Sequence, residues 1–246
     1  NGNFNAGSLW YWASAGKTLT AALTGNAQAD GFLQLDKPSN TYLGAGWSSL
    51  PAAQENLITV RHHLTMTTGL DDNVPDPFCT DKSCLVFKAA AGTRWAYHNG
   101  PYTILDKIIA NATQQPFANY FNTSIRDKVG MEGTWVKADY NNIYYSTARS
   151  MARFGWLMAN QGKWKLETVL KDAAYVMAMT NTSQNLNLSY GYLWWLNGKA
   201  SFMSPGSQLV LPMSITPNAP ADMYAAMGKN GQYLNIVPSQ NLVMVR

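Results

Sequence analysis

Charge is scarce in this 246-residue chain: 18 Lys and Arg stand against 14 Asp and Glu, so 13% of residues are charged. The net charge of +4 comes from scattered positions, with neither a basic run nor a basic patch interleaved with aromatics. That pattern argues against a nucleic-acid partner. No stretch is apolar for long enough to span a bilayer, and the first residues lack the basic and apolar regions of a signal peptide. Internal repeats and low-complexity tracts are absent as well. Against these absences, 46% of residues are hydrophobic, which at this length suits one large core or two lobes sharing a cleft.

Metal-ligating side chains are equally sparse. The only cysteines are Cys79 and Cys84, and the three histidines are His62, His63 and His98. Neither set has ligand spacing, so no metal is called for. The cysteines are read as a local disulfide, which implies an oxidising compartment, with two free thiols as the alternative. No serine lies in Gly-x-Ser-x-Gly, so the chain lacks the usual sequence signal of a Ser-His-Asp hydrolase. His62 and His63, among Leu64 and Met66, read as packing and surface residues. Sequons begin at Asn111, Asn122, Asn181 and Asn187, which an Asn-rich chain produces by chance.

What the chain does contain is Ser14-Ala-Gly-Lys17 at the start of an apolar-periodic stretch. Residues three apart share a helix face, so a hydroxyl and an amine can meet there without help from loops. Desolvation and the positive end of a helix both favour the neutral amine, which can then take the Ser14 proton as the hydroxyl attacks a carbonyl carbon. The Ser14 N–H can supply half of an oxyanion hole. The bland reading of the same four residues is a helix cap followed by a solvated lysine.

The helix opened by Ser14 is expected to end at Asp30-Gly31. Further helices are expected from Thr59 to Gly69, from about 101 to 112, from about 116 to 129, and from Ser146 to Gly162. The polar segment from Asp71 to Lys88 reads as a long loop at the rim of a site. Tyr97-His98-Asn99 falls in the turn before a helix, where a phenol and an amide can face a cleft. Tyr190–Leu196 has the aromatic composition of a buried strand, and Met223–Pro238 and Leu242–Arg246 read as two antiparallel strands.

Taken together, Ser14-Ala-Gly-Lys17, Tyr97-His98-Asn99 and Lys229-Asn230-Gly231 resemble, in order, the Ser-x-x-Lys, Tyr-x-Asn and Lys-Thr-Gly motifs of the penicillin-binding proteins, class C β-lactamases and related esterases. The stretches Thr59–Leu70, Ala91–Trp95, Ser146–Gly155 and Tyr190–Trp195 are similar too, so the resemblance covers nearly the whole chain. It implies an α+β (α/β) fold, an antiparallel sheet flanked by helices plus a mostly helical lobe, with the site in the cleft between them. The sheet lobe would take residues 1–34 and 166–246 and the helical lobe 35–165, with terminal parts of the family fold missing from the sequence.

The resemblance further implies that Ser14 is the acylated nucleophile, Lys17 its proton acceptor and Tyr97 a second base or relay. Asn99 would bind a substrate oxygen, Lys229 would hold the field positive so that Tyr97 ionises more readily, and the Gln232 N–H, following Gly231, would be the second oxyanion donor. Substrates would be small-molecule or peptide-like esters, amides or β-lactams. No cofactor is implied, and a periplasmic or secreted location is expected. Asn230 stands where the family has threonine, and neither a Ser-Asp-Asn motif nor a class A deacylating glutamate is found. The rival readings are a penicillin-binding DD-peptidase and a non-catalytic binder of peptidoglycan or a partner.

Overall fold

The computed structural model describes residues 4–246. Strand β1 (Trp10–Tyr11) leads through a 3-10 turn (Ala13–Gly16) into α1 (Lys17–Ala29). Short helices α2 (Asn40–Leu43), α3 (Ala52–Glu55) and α4 (Val60–Leu64) follow, then the long α5 (Asn99–Thr113) and α6 (Phe117–Phe121). A hairpin of β2 (Thr134–Ala138) and β3 (Asn141–Ser146) precedes α7 (Ala148–Ala159). The ribbon β4 (Lys163–Trp164) with β5 (Glu167–Thr168), helix α8 (Ala173–Met179), β6 (Trp195–Leu196), and the ribbon β7 (Phe202–Met203) with β8 (Val210–Leu211) come next. The described chain closes with β9 (Tyr224–Met227), β10 (Tyr233–Val237) and β11 (Leu242–Val245).

Two antiparallel sheets carry the architecture. One runs β11-β10-β9-β6 and the other β1-β3-β2. Among the described residues no helix is long and apolar enough to cross a membrane.

Helix α1 is the axis of the molecule, buried on every face from Lys17 to Ala27. A helix enclosed all round must satisfy its own polar side chains. Thr18 Oγ1 donates to the Ala15 carbonyl and Thr24 Oγ1 to the Thr20 carbonyl, each at 2.8 Å, and Thr20 meets the Tyr102 hydroxyl at 3.1 Å. Gly25 is required by its neighbour: a Cβ there would lie 2.4 Å from the Tyr175 ring, whose hydroxyl donates to the Ala21 carbonyl at 2.8 Å.

Several expected elements differ in the structure. The segment expected as a helix from 116 to 129 splits into α6 and a π-turn over Asn122–Arg126. Ser146 ends β3, so the helix after it starts at Ala148, capped by the Thr147 hydroxyl accepting from Ser150 N–H at 3.2 Å. The helix from Thr59 stops at Leu64, and Tyr190–Leu196 keeps only Trp195–Leu196 as strand because Leu193 takes a left-handed φ of 62°. Met223–Pro238 is two strands paired Tyr233 to Met227, because Gly231 at φ 84° turns the chain between them.

The histidine pair is structural. His62 Nδ1 accepts the Thr59 N–H at 3.0 Å, in the role a glutamate usually has in a capping box. His63 is fully buried, bonded to the Pro101 carbonyl at 2.7 Å and to Ser39 Oγ at 2.9 Å. Within the span assigned to a helical lobe, the β2–β3 hairpin is extended and α7 packs on β10 and β11, so by contact α7 belongs to the sheet.

Candidate active site

Ser14 stands in the 3-10 turn between β1 and α1, a turn held from both sides. The Trp12 N–H donates to the Tyr144 carbonyl at 2.8 Å, and its indole N–H donates to Ser146 Oγ at 2.7 Å. Ala13 has φ 49°, a left-handed conformation that costs a residue with a Cβ about 1 kcal/mol. That strain sits one residue before the hydroxyl it presents.

Lys17, at the first position of α1, is 5% exposed, and its Nζ lies 3.1 Å from Ser14 Oγ. Its surroundings are aromatic, with Nζ 4.4 Å from the Tyr102 ring centroid and 5.1 Å from that of Tyr97. Desolvation brings its pKa down to about 7.

Burial pushes the Tyr97 phenol up to about 12, against the lowering influence of Ser14 beside it. This corrects the expectation that Lys229 makes Tyr97 ionise readily. Lys229 is exposed, and the apolar packing on Tyr97 governs instead. The Tyr97 ring stacks on Trp195 with centroids 5.8 Å apart and 15° between planes, and Tyr190 meets it edge-on at 6.2 Å. The intervening His98 is buried and faces away, its ring held neutral by desolvation with a pKa of about 4.

A cavity of about 630 Å³ opens on this group. Ser14, Tyr97, Asn99 at the start of α5, and Lys229 all line it, and Trp195, Phe78, Phe202 and Tyr233 give it an aromatic wall. The loop expected at the rim is there, contributing Asp72, Pro77 and Phe78. Its cysteines form the Cys79–Cys84 disulfide, with Cα atoms 5.9 Å apart.

Two expected residues are not brought to this cavity. Gln232 is 3% exposed and lines a different cavity with Trp10, Tyr11 and Trp12, while Gly231 lies in the turn with its N–H donated to the Gly228 carbonyl at 3.2 Å. The residues of that hairpin that do line the cavity are Met227, Gly228 and Lys229 before the turn and Tyr233 after it. Gly228 N–H donates to the Gln232 carbonyl at 2.7 Å, and a Cβ on Gly228 would lie 2.8 Å from the Trp12 carbonyl oxygen. The strand end therefore reaches the turn that carries Ser14 only because residue 228 is glycine. The sequence signal for this register is Gly228, immediately before Lys229-Asn230-Gly231.

The model of the β-lactamase family matches residues 1–246. A β-lactamase of Escherichia coli strain K12 is 24% identical over 97% of this chain and 74% of its own length. Penicillin-binding protein PbpX of Bacillus subtilis strain 168 is 29% identical over 55% of this chain and 36% of its own length. Among solved structures, one described as a 6-aminohexanoate-dimer hydrolase from Bacillus anthracis superposes with a TM-score of 0.76 at 20% identity, covering 100% of this chain and 68% of that one. Another, described as a β-lactamase from Bacteroides dorei, gives 0.75 at 19% identity over 100% of this chain and 80% of that one. These last two likenesses speak for the fold, and the family match over the whole chain carries the assignment: this protein belongs to the β-lactamase family of serine hydrolases.

Proposed function

We propose that the chain hydrolyses a carboxylic ester or amide through an acyl-enzyme on Ser14. The carrying observation is the 3.1 Å contact between Ser14 Oγ and a buried lysine whose pKa is lowered to about 7. Near neutral pH a large fraction of Lys17 is uncharged and accepts the Ser14 proton as Oγ attacks the carbonyl carbon. Tyr97 remains a protonated phenol, so it works as a donor. Its hydroxyl gives a proton to the departing alkoxide or amine and recovers one from the Lys17 ammonium. Water then attacks the acyl carbon by the reverse relay, and Ser14 regains its proton.

The tetrahedral oxyanion is assigned to the Ser14 N–H and the Lys229 N–H. Lys229 takes this role in place of Gln232 because it lines the Ser14 cavity and Gln232 does not. Asn99 is assigned to a substrate carbonyl or amide oxygen, and the Lys229 ammonium at the rim suits a substrate carboxylate. The aromatic wall favours an apolar acyl group. An extracytoplasmic location, periplasmic or secreted, is supported by the disulfide.

The test is intact-mass spectrometry after timed exposure to a p-nitrophenyl ester and, separately, to a penicillin, with the adduct mapped by digestion. An acyl adduct on Ser14 and loss of turnover by at least about 10³-fold in Ser14→Ala are expected. Full activity in Ser14→Ala would overturn the reading. A lasting penicilloyl adduct with slow ester turnover would favour the DD-peptidase.

A further inference from the structure

A second cavity, of about 620 Å³, lies outside the Ser14 cleft. Its walls come from the loop after α2 (Gly46, Trp47), the disulfide loop (Thr80, Asp81, Lys82), helix α5 (Thr103, Ile104, Asp106, Lys107) and the β2–β3 hairpin (Lys137, Asn142). The disulfide loop is thus a partition, with Pro77 and Phe78 facing the Ser14 cavity and Asp81 and Lys82 facing this one. The Tyr140 hydroxyl at the hairpin tip donates to Asp81.

Five charged side chains line this cavity, Asp81, Asp106, Lys82, Lys107 and Lys137, and among the described residues none of them makes an ion pair. Ion pairs elsewhere include Arg94 with Asp72 and Arg61 with Asp36, each at 2.7 Å, while other charged side chains, such as Lys37 and Arg149, are also outside any pair among the described residues. Asp106 is the most deeply set of the five. It accepts one hydrogen bond, from Asn142 Nδ2 at 2.8 Å, and no cation of the chain sits on it. Burial therefore outweighs both that bond and the more distant attraction of Lys137, raising its pKa to about 7. Lys137 is turned to its own hairpin, its Nζ donating to the Tyr140 carbonyl at 3.3 Å. Lys82 and Lys107 have no side-chain acceptor among the described residues.

A half-buried carboxylate without a cation and two exposed ammoniums without an anion, lining one space, are complementary to a molecule that carries both charges. The volume is within the range of small-ligand sites. The geometry points to a second binding site, for a small zwitterion, in which Asp106 receives the ligand's ammonium and Lys82 and Lys107 receive its carboxylate. The Asn142 amide holds the Asp106 carboxylate in place while one oxygen stays available. The Trp47 indole N–H, buried with no acceptor among the described residues, is part of the same wall.

The test uses 4-aminobutyrate, which carries both charges and has no bond for the enzyme to hydrolyse, titrated calorimetrically into the purified protein alongside butylamine and butyrate. Saturable binding at one site is expected, at least about tenfold tighter than either half-molecule. It should be unchanged in Ser14→Ala, weaken about thirtyfold or more in Asp106→Asn, and weaken by a smaller factor in the surface variant Lys82→Ala/Lys107→Ala. The double variant decides the matter should Asp106→Asn fail to fold. Affinity no better than that of the two halves, or affinity indifferent to both variants, would overturn the proposal. Loss of binding in Ser14→Ala would place the ligand in the catalytic cleft and overturn it too.

Discussion

Lys17 is charged in the unfolded chain at neutral pH, while in the folded protein burial lowers its pKa from 10.5 to about 7. The sign of the linked stability follows directly. Below about pH 7 both states are protonated and the whole cost of burying the ammonium is felt. Between about 7 and 10.5 the unfolded state binds more protons, so this residue's contribution to stability rises with pH. Replacing Lys17 by methionine should therefore abolish turnover yet stabilise the protein at pH 7 by roughly 2–4 kcal/mol, with the advantage shrinking as pH approaches 10. Urea unfolding of both proteins across that range checks it. Turnover of the wild type should climb with an apparent pKa near 7, since the neutral amine is the working form. A profile flat from pH 5.5 to 8.5 would remove Lys17 as the base. Tyr97 supplies no rising limb in that range, because its pKa lies at about 12.

Elements differ in how plainly their residues announced them. Helix α1 follows from its start signal and its stop at Asp30-Gly31, and the run from Asn99 to Thr113 from its apolar face. The hairpin β2–β3 is faint in the sequence although Thr134, Trp135 and Val136 face Tyr145, Tyr144 and Ile143 across an Asp139 turn at φ 50°. Its strands are short and half exposed, so alternation is blurred. The disulfide loop is an element of a different kind, held in shape by a covalent tie. Opening it in Cys79→Ser/Cys84→Ser should cost about 2 kcal/mol in thermal or urea unfolding, as a short closed loop predicts. Phe78 and Pro77 ride on that loop and line the Ser14 cavity. The same variant should therefore raise KM for esters more than it lowers kcat.

At the scale of the whole molecule, the site exists where separate parts of the chain converge: the turn after β1, the segment entering α5, β6 with its Trp195, and the end of β9. Gly228 is the point of closest approach, with the Trp12 carbonyl 2.8 Å from where a Cβ would stand. In Gly228→Val the strand end must withdraw from the turn that carries Ser14. The expected result is a loss of kcat/KM of about 100-fold, with a smaller fall in the unfolding midpoint, compared by steady-state kinetics and urea titration on one preparation. The local chemistry was legible in the sequence because it is local: Ser14 and Lys17 share a helix turn, Tyr97 and Asn99 a tripeptide, and Cys79 and Cys84 a loop. The sequence alone also determined the family, since those motifs recur in a fixed order along nearly the whole chain. Only the tertiary structure decided which of Lys229 and Gln232 lines the Ser14 cavity, because the two lie three residues apart on one hairpin and the register of β9 against β10 puts one at the cleft and the other in a different cavity. It likewise decided the charge states of Lys17, Tyr97 and Asp106, since these depend on how much water the surrounding elements exclude, a quantity no single stretch of chain contains.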